Sequence, residues 1–109
     1  MDQALAYAHD HADTFVDQLQ NWLRIPSIST DPAYNDETRR AATWLRDELA
    51  RVGVQEVRLM ETGGHPIVYA EHRAGDDKPT VLVYGHYAVQ PPAPLDLWPR
   101  PPFAPVIKA

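Results

Sequence analysis

The chain has 109 residues, 44% of them hydrophobic, and a formal net charge of −5; that is the length of one ordinary domain and too short for two. Its Lys and Arg residues are scattered, with Arg39-Arg40 the one basic doublet, which excludes the classes that need a basic surface: binders of nucleic acid and of anionic membranes. With no cysteine in the sequence, disulfide frameworks and thiolate metal sites are excluded too, and any metal must be held by His, Asp or Glu.

Taken in chain order, residues 2–24 place Leu5, Ala8, Ala12, Phe15, Val16, Leu19, Trp22 and Leu23 at three-and-four spacing, which predicts one amphipathic helix ended by Pro26. A second helix follows, capped by Asn35 or Asp36, with Asp36 and Glu37 near its positive end and an apolar stripe of Ala41, Leu45, Leu49 and Val52. Gly53 stops it at the position where a left-handed backbone carries no Cβ penalty. Beyond Gly53 the period falls to two. Val54, Val57 and Leu59, then Ile67 to Ala70, then Val81 to Tyr84 are the expected strands, with turns at Gly63-Gly64 and Gly75-Asp76-Asp77. Val81 to Tyr84 is apolar on both faces, as a central strand covered by helices on each side would be. The expected fold class is therefore α/β, an α/β body over 1–90. Seven of the eleven prolines fall between Pro91 and Pro105, so 91–109 is expected to be an extended, partly polyproline-like segment. No window approaches the ~18 apolar residues of a membrane span and no basic leader precedes an apolar stretch; the expectation is a soluble, cytoplasmic protein with no membrane partner.

His86 follows a buried-looking strand and Gly85, which in an open α/β sheet is the carboxyl edge where ligands bind. Against this stands the plainer reading of a histidine that satisfies a local hydrogen bond, since one imidazole falls short of the three protein ligands of a catalytic zinc. His9 and His11 face different directions on a helix, and His65 and His72 fall in a glycine-rich turn and near a strand end, so all are expected at the surface. Ser27 and Ser29 lack the glycine elbow of a nucleophilic serine, and the glycines form no phosphate-cradling loop. The P-x-x-P spacings of the proline-rich stretch match ligands of aromatic-groove modules, but Leu95, Leu97, Trp98 and Phe103 read better as anchors of that segment.

Leu23-Arg24-Ile25-Pro26-Ser27-Ile28-Ser29, the helix end Leu49-Ala50-Arg51-Val52-Gly53, and above all Val81-Leu82-Val83-Tyr84-Gly85-His86-Tyr87-Ala88-Val89-Gln90-Pro91-Pro92, followed by Leu97-Trp98 and Pro102-Phe103-Ala104-Pro105, resemble the start of the dizinc exopeptidase family. That family includes carnosinase-like dipeptidases, acetylornithine deacetylase and succinyl-diaminopimelate desuccinylase, and the dipeptidase branch fits best. The resemblance implies the N-terminal part of the catalytic domain. It also implies part of a three-layer α/β/α sandwich with a mixed sheet, made here of two N-terminal helices, three strands and the proline-rich segment.

By the same resemblance His86 is a metal ligand, and Ala88 stands where the family's Gly-His-x-Asp motif carries its active-site aspartate. Ala93, Ala104 and Ala109 likewise stand where these dipeptidases often carry acids. The implied cofactor is a pair of zinc ions, although His with carboxylates also suits manganese or cobalt. The implied substrate is a dipeptide or an N-acyl amino acid. The implied chemistry is attack of a metal-bridged water, activated by a glutamate, on a polarised amide carbonyl. The bridging aspartate, that glutamate, the other ligands and the lid domain would all lie beyond position 109. The isolated chain is therefore expected to be inactive, to hold zinc weakly at most, and to self-associate through unpaired sheet edges. The competing reading is a non-catalytic binding domain of the same fold that uses its proline-rich edge.

Overall fold

In the computed structural model, which describes residues 1–108, the N-terminal amphipathic run is two helices, α1 (Asp2–Asp10) and α2 (Ala12–Leu23). The single helix expected over 2–24 is interrupted at His11, whose φ of −108° and ψ of 14° leave the helical region. The cause is local. The His11 Nδ1–H donates to the Tyr7 carbonyl at 2.9 Å while the His11 amide donates to the same oxygen at 3.0 Å, and a side chain that enters the helical ladder bends it. The His11 ring also stacks on Tyr7, with centroids 3.9 Å apart. Ala109, one of the four alanine positions, lies outside the described residues.

The chain forms two units, one of Met1–Ile25 with the segment from Pro92 onward, and one of Pro26–Pro91. In the first unit the proline-rich segment holds one short 3₁₀ turn, Leu95–Leu97. Pro94 (φ −79°, ψ 137°) and Trp98 (φ −80°, ψ 126°) flank it near polyproline II geometry. Leu95, Leu97 and Trp98 are exposed, so they do not act as buried anchors; Phe103 alone of the four is half-buried.

In the second unit, Asp31 caps a 3₁₀ turn, Pro32–Tyr34, by accepting the Ala33 amide at 3.0 Å. Helix α3 (Asn35–Arg51) continues from it. The expected caps Asn35 and Asp36 therefore lie inside α3, because the upstream turn already starts the winding. Thr38, Ala41 and Ala42 have no solvent exposure, and the Thr38 hydroxyl donates to the Tyr34 carbonyl at 3.0 Å. The C-terminus forms a Schellman motif: the Gly53 amide donates to the Ala50 carbonyl and the Val54 amide to the Leu49 carbonyl, each at 3.1 Å. Gly53 has φ +95°, and a Cβ there would meet nothing within 4 Å. Gly53→Ala is thus expected to cost only the left-handed backbone penalty, about 1 kcal/mol, read as a lower urea midpoint at unchanged slope.

Strands β1 (Glu56–Met60) and β2 (Ile67–Glu71) pair antiparallel with Leu59 opposite Val68 and Val57 opposite Ala70. The turn between them contains Gly63 at φ +81°. Val57, Leu59 and Val68 are half-buried and share one face of the hairpin, and α3 packs against both strands. On the other face the Arg58 guanidinium lies 5.1 Å from the Tyr69 ring centroid, and the Tyr69 hydroxyl donates to Glu71 at 2.7 Å. Hydrogen bonds from Arg73, foremost, and from Tyr69 hold the Glu71 carboxyl below its ordinary range.

The third expected strand is the main correction. Residues 80–84 pair with no strand among the described residues, the sheet has two strands rather than three, and Leu82 is 90% exposed. An apolar run reports β propensity, whereas a strand also needs a ladder partner on at least one side, and the hairpin does not reach this run.

Candidate functional site

The segment that carries His86 changes character at one residue. Thr80 to His86 are exposed, whereas Tyr87, Ala88 and Val89 are half-buried. Three hydrogen bonds account for the change. The Ser27 hydroxyl donates to the Tyr87 carbonyl at 3.1 Å, the Val89 amide donates to the Ser27 carbonyl at 3.0 Å, and the Tyr87 hydroxyl donates to the Pro66 carbonyl at 2.6 Å. Ile28 and Val89 form an isolated parallel bridge beside them. Burial raises the Tyr87 phenol above its ordinary value; the Arg39 charge opposes that shift and Glu61 adds to it.

The Pro26–Thr30 stretch makes these contacts because Pro26 takes it out of the helix and turns its backbone groups toward other partners. Ser27 is 3% exposed and its hydroxyl serves a carbonyl, in keeping with a structural serine and not a nucleophile. His65 was expected at the surface and is instead half-buried, its Nε2–H donating to the Ser29 carbonyl at 2.7 Å. Thr62 stiffens the same turn by donating to the His65 carbonyl at 2.8 Å and accepting the Gly64 amide at 3.1 Å. The Pro66 that follows was a usable signal, since it forces His65 into extended geometry and away from a free turn tip.

Between the start of α3, the Ser29–Pro32 stretch and the hairpin turn lies a cavity of about 410 Å³, lined in part by Asn35, Arg39 and His65. Arg39 is engaged by both Glu61 oxygens, at 2.8 and 2.7 Å, and the hydrogen bond to Glu61 is the main reason its pKa is raised. As an exposed pair it adds little stability.

His86 itself is exposed, with its ring edge-on to Tyr84 at a centroid distance of 5.2 Å and an interplanar angle of 72°. Ala88, two residues on, offers no acceptor to that imidazole. Among the described residues no group of three or more His, Asp and Glu side chains comes together to hold a metal ion. His86 is a sound donor, but the residues of this chain do not by themselves fit a catalytic zinc, which takes about three protein ligands.

The chain as a whole is similar to metal-dependent dipeptidases. No family model matches the chain. The Cys-Gly metallodipeptidase of Candida albicans is 37% identical, over 82% of this chain and 21% of that enzyme. The β-Ala-His dipeptidase of Homo sapiens is 29% identical, over 94% of this chain and 23% of the enzyme. The solved structure of Dug1p, a di-peptidase from Saccharomyces cerevisiae, superposes with a TM-score of 0.83 and 26% identity over 92% of this chain and 23% of that one. The chain is thus a homologue of the metallodipeptidases, carnosinase-like enzymes among them, as the sequence resemblance implied. It spans about a fifth of the length of the curated relatives it matches.

Proposed function

We propose that this chain forms part of the catalytic body of a metal-dependent dipeptidase, to which it contributes His86 as a ligand for zinc. The observation that carries the reading is its agreement in fold with a di-peptidase over 92% of its length. In this reading residues 80–84 are a strand of a three-layer α/β/α sandwich, ordered by further strands and helices of a longer polypeptide. Residues 91–109 are its proline-rich edge, and the setting is the cytoplasm, where a chain without cysteine meets no redox demand. The substrate is a dipeptide, by analogy with relatives named for Cys-Gly and β-Ala-His. This chain's own residues hold the His86 backbone in place; the other ligands and the general base come from elsewhere in the polypeptide.

An apolar run left as open as Val81–Tyr84 also favours self-association of the isolated chain, by strand pairing between copies. Sizing chromatography is expected to show oligomers, and a sharp monomer peak with cooperative melting overturns that expectation.

The function is tested by exchanging the aligned segment of the Candida albicans enzyme for this chain carrying Ala88→Asp. With zinc, the chimera is expected to hydrolyse Cys-Gly well above the level of its His86→Ala counterpart. A soluble, cooperatively melting chimera no more active than that counterpart overturns the reading.

A further inference from the structure

We propose that Ser27 and Tyr87 are positioning residues that fix the backbone bearing His86 from its C-terminal side. The proposal rests on the reading of His86 as a functional ligand, because only a ligand needs its main chain held to within about half an ångström. On the N-terminal side of His86, Val81 to Tyr84 are between 81% and 90% exposed and have no ladder partner among the described residues. On the C-terminal side the chain is held from its first residue. The Tyr87 carbonyl is bound by the Ser27 hydroxyl, and two residues later the Val89 amide is bound by the Ser27 carbonyl. A single residue, 60 positions away in sequence, therefore grips both ends of the peptide stretch that follows His86.

Tyr87 closes the arrangement from another direction. Its hydroxyl reaches the carbonyl of buried Pro66 at the end of the hairpin turn. That turn is in turn tied to the Pro26–Thr30 stretch by the bond from His65 to the Ser29 carbonyl. The Pro26–Thr30 stretch, the hairpin turn and residues 87–89 thus form a closed triangle of hydrogen bonds, each side joining segments at least 21 positions apart. A triangle cannot shear without breaking a side, whereas a single tether can swing. The triangle has consequences for His86 because residue 87 is one of its corners. Tyr84, which touches the His86 ring edge-on, is a contact of the ring but no part of the frame.

The test is amide hydrogen exchange and side-chain NMR on the full 109-residue chain, with Tyr87→Phe and Ser27→Ala. Each substitution removes one hydroxyl and little volume. In the unaltered chain the Val89 amide, bound by the Ser27 carbonyl, is expected to exchange well below its unstructured rate; an unprotected Val89 amide overturns the proposal before any variant is made. In each variant the Val89 amide is expected to exchange about 5-fold faster, as loss of one hydrogen bond allows, while the amides of the β1–β2 ladder keep their rates. The His86 ring protons, shifted by the edge-on Tyr84, are expected to move toward unstructured values in both variants and to stay put on Ser27→Thr, which keeps the hydroxyl. A merely structural role would lower the unfolding midpoint and speed the ladder and Val89 amides alike, without moving the ring signal; that result, or an unchanged Val89 rate, overturns the proposal. The Cys-Gly assay of the chimera decides the function separately, so either claim fails without the other.

Discussion

Ile28→Ala is expected to lower the unfolding free energy by about 2–5 kcal/mol, the range for removing a buried isoleucine side chain down to its β-carbon. Ile28 is 4% exposed and lies in an irregular stretch, so no helical or sheet ladder shares the loss. Its backbone bridges Val89, and its neighbour Ser27 holds Tyr87. A cavity beneath this stretch therefore loosens both the packing and the support of residues 87–89. Such residues are few: among the described residues Ile25, Ile28, Ala41 and Ala42 are the buried hydrophobics, and of these the two isoleucines have volume to lose. Val81→Ala is the control. Val81 is 81% exposed, and a surface truncation away from special features stays within about 0.5 kcal/mol. Urea unfolding of the two variants separates them by midpoint; an Ile28→Ala midpoint no lower than that of Val81→Ala would show that burial at this site stabilises nothing.

What the sequence revealed and what it hid divide along the range of the interactions. Helix α3 and its Gly53 terminus were legible because apolar spacing and a left-handed glycine are local facts. The two strands of the hairpin were legible because alternation marks each and Gly63-Gly64 marks the turn between them; their antiparallel register, Glu56 opposite Glu71, came from the structure. The break at His11 was not, since periodicity continues through it and the ring's bond to the Tyr7 carbonyl leaves no mark in the apolar spacing. Residues 80–84 misled for a related reason: their composition states a preference, and no ladder partner among the described residues realises it. At the site, His86 was found from its place after an apolar run and a glycine. Ser27, His65 and Tyr87 were not, because each acts through a carbonyl 21 to 60 positions distant, and hydrogen bonds to main chain leave no residue pattern behind.

Ala88→Asp is expected to have the larger functional effect. In the chimera with the Candida albicans enzyme, it is expected to raise kcat/KM for Cys-Gly by about 10–100-fold over the unaltered segment, the usual worth of a carboxylate that orients a ligating imidazole. Residues two apart on an extended chain share a face, so a carboxylate at 88 falls on the His86 side. It can accept the imidazole N–H that the metal leaves free, which fixes the tautomer and raises the basicity of the ligand. Alanine does neither. The backbone is suited to the change because both neighbours of Ala88 are already held, Tyr87 by its carbonyl and Val89 by its amide, so the new side chain starts from a fixed origin. The cost is a half-buried carboxylate. Where no metal fixes the exposed His86 imidazole to meet it, its desolvation lowers stability, so Ala88→Asp is expected to reduce the melting temperature of the isolated chain while it activates the chimera. Ala88→Asn discriminates the cause: its amide oxygen fixes the tautomer without adding charge, and it should recover only part of the gain. Equal activity of the alanine and aspartate chimeras would mean that residue 88 does not support His86, and that the orientation of this histidine is set by its backbone alone.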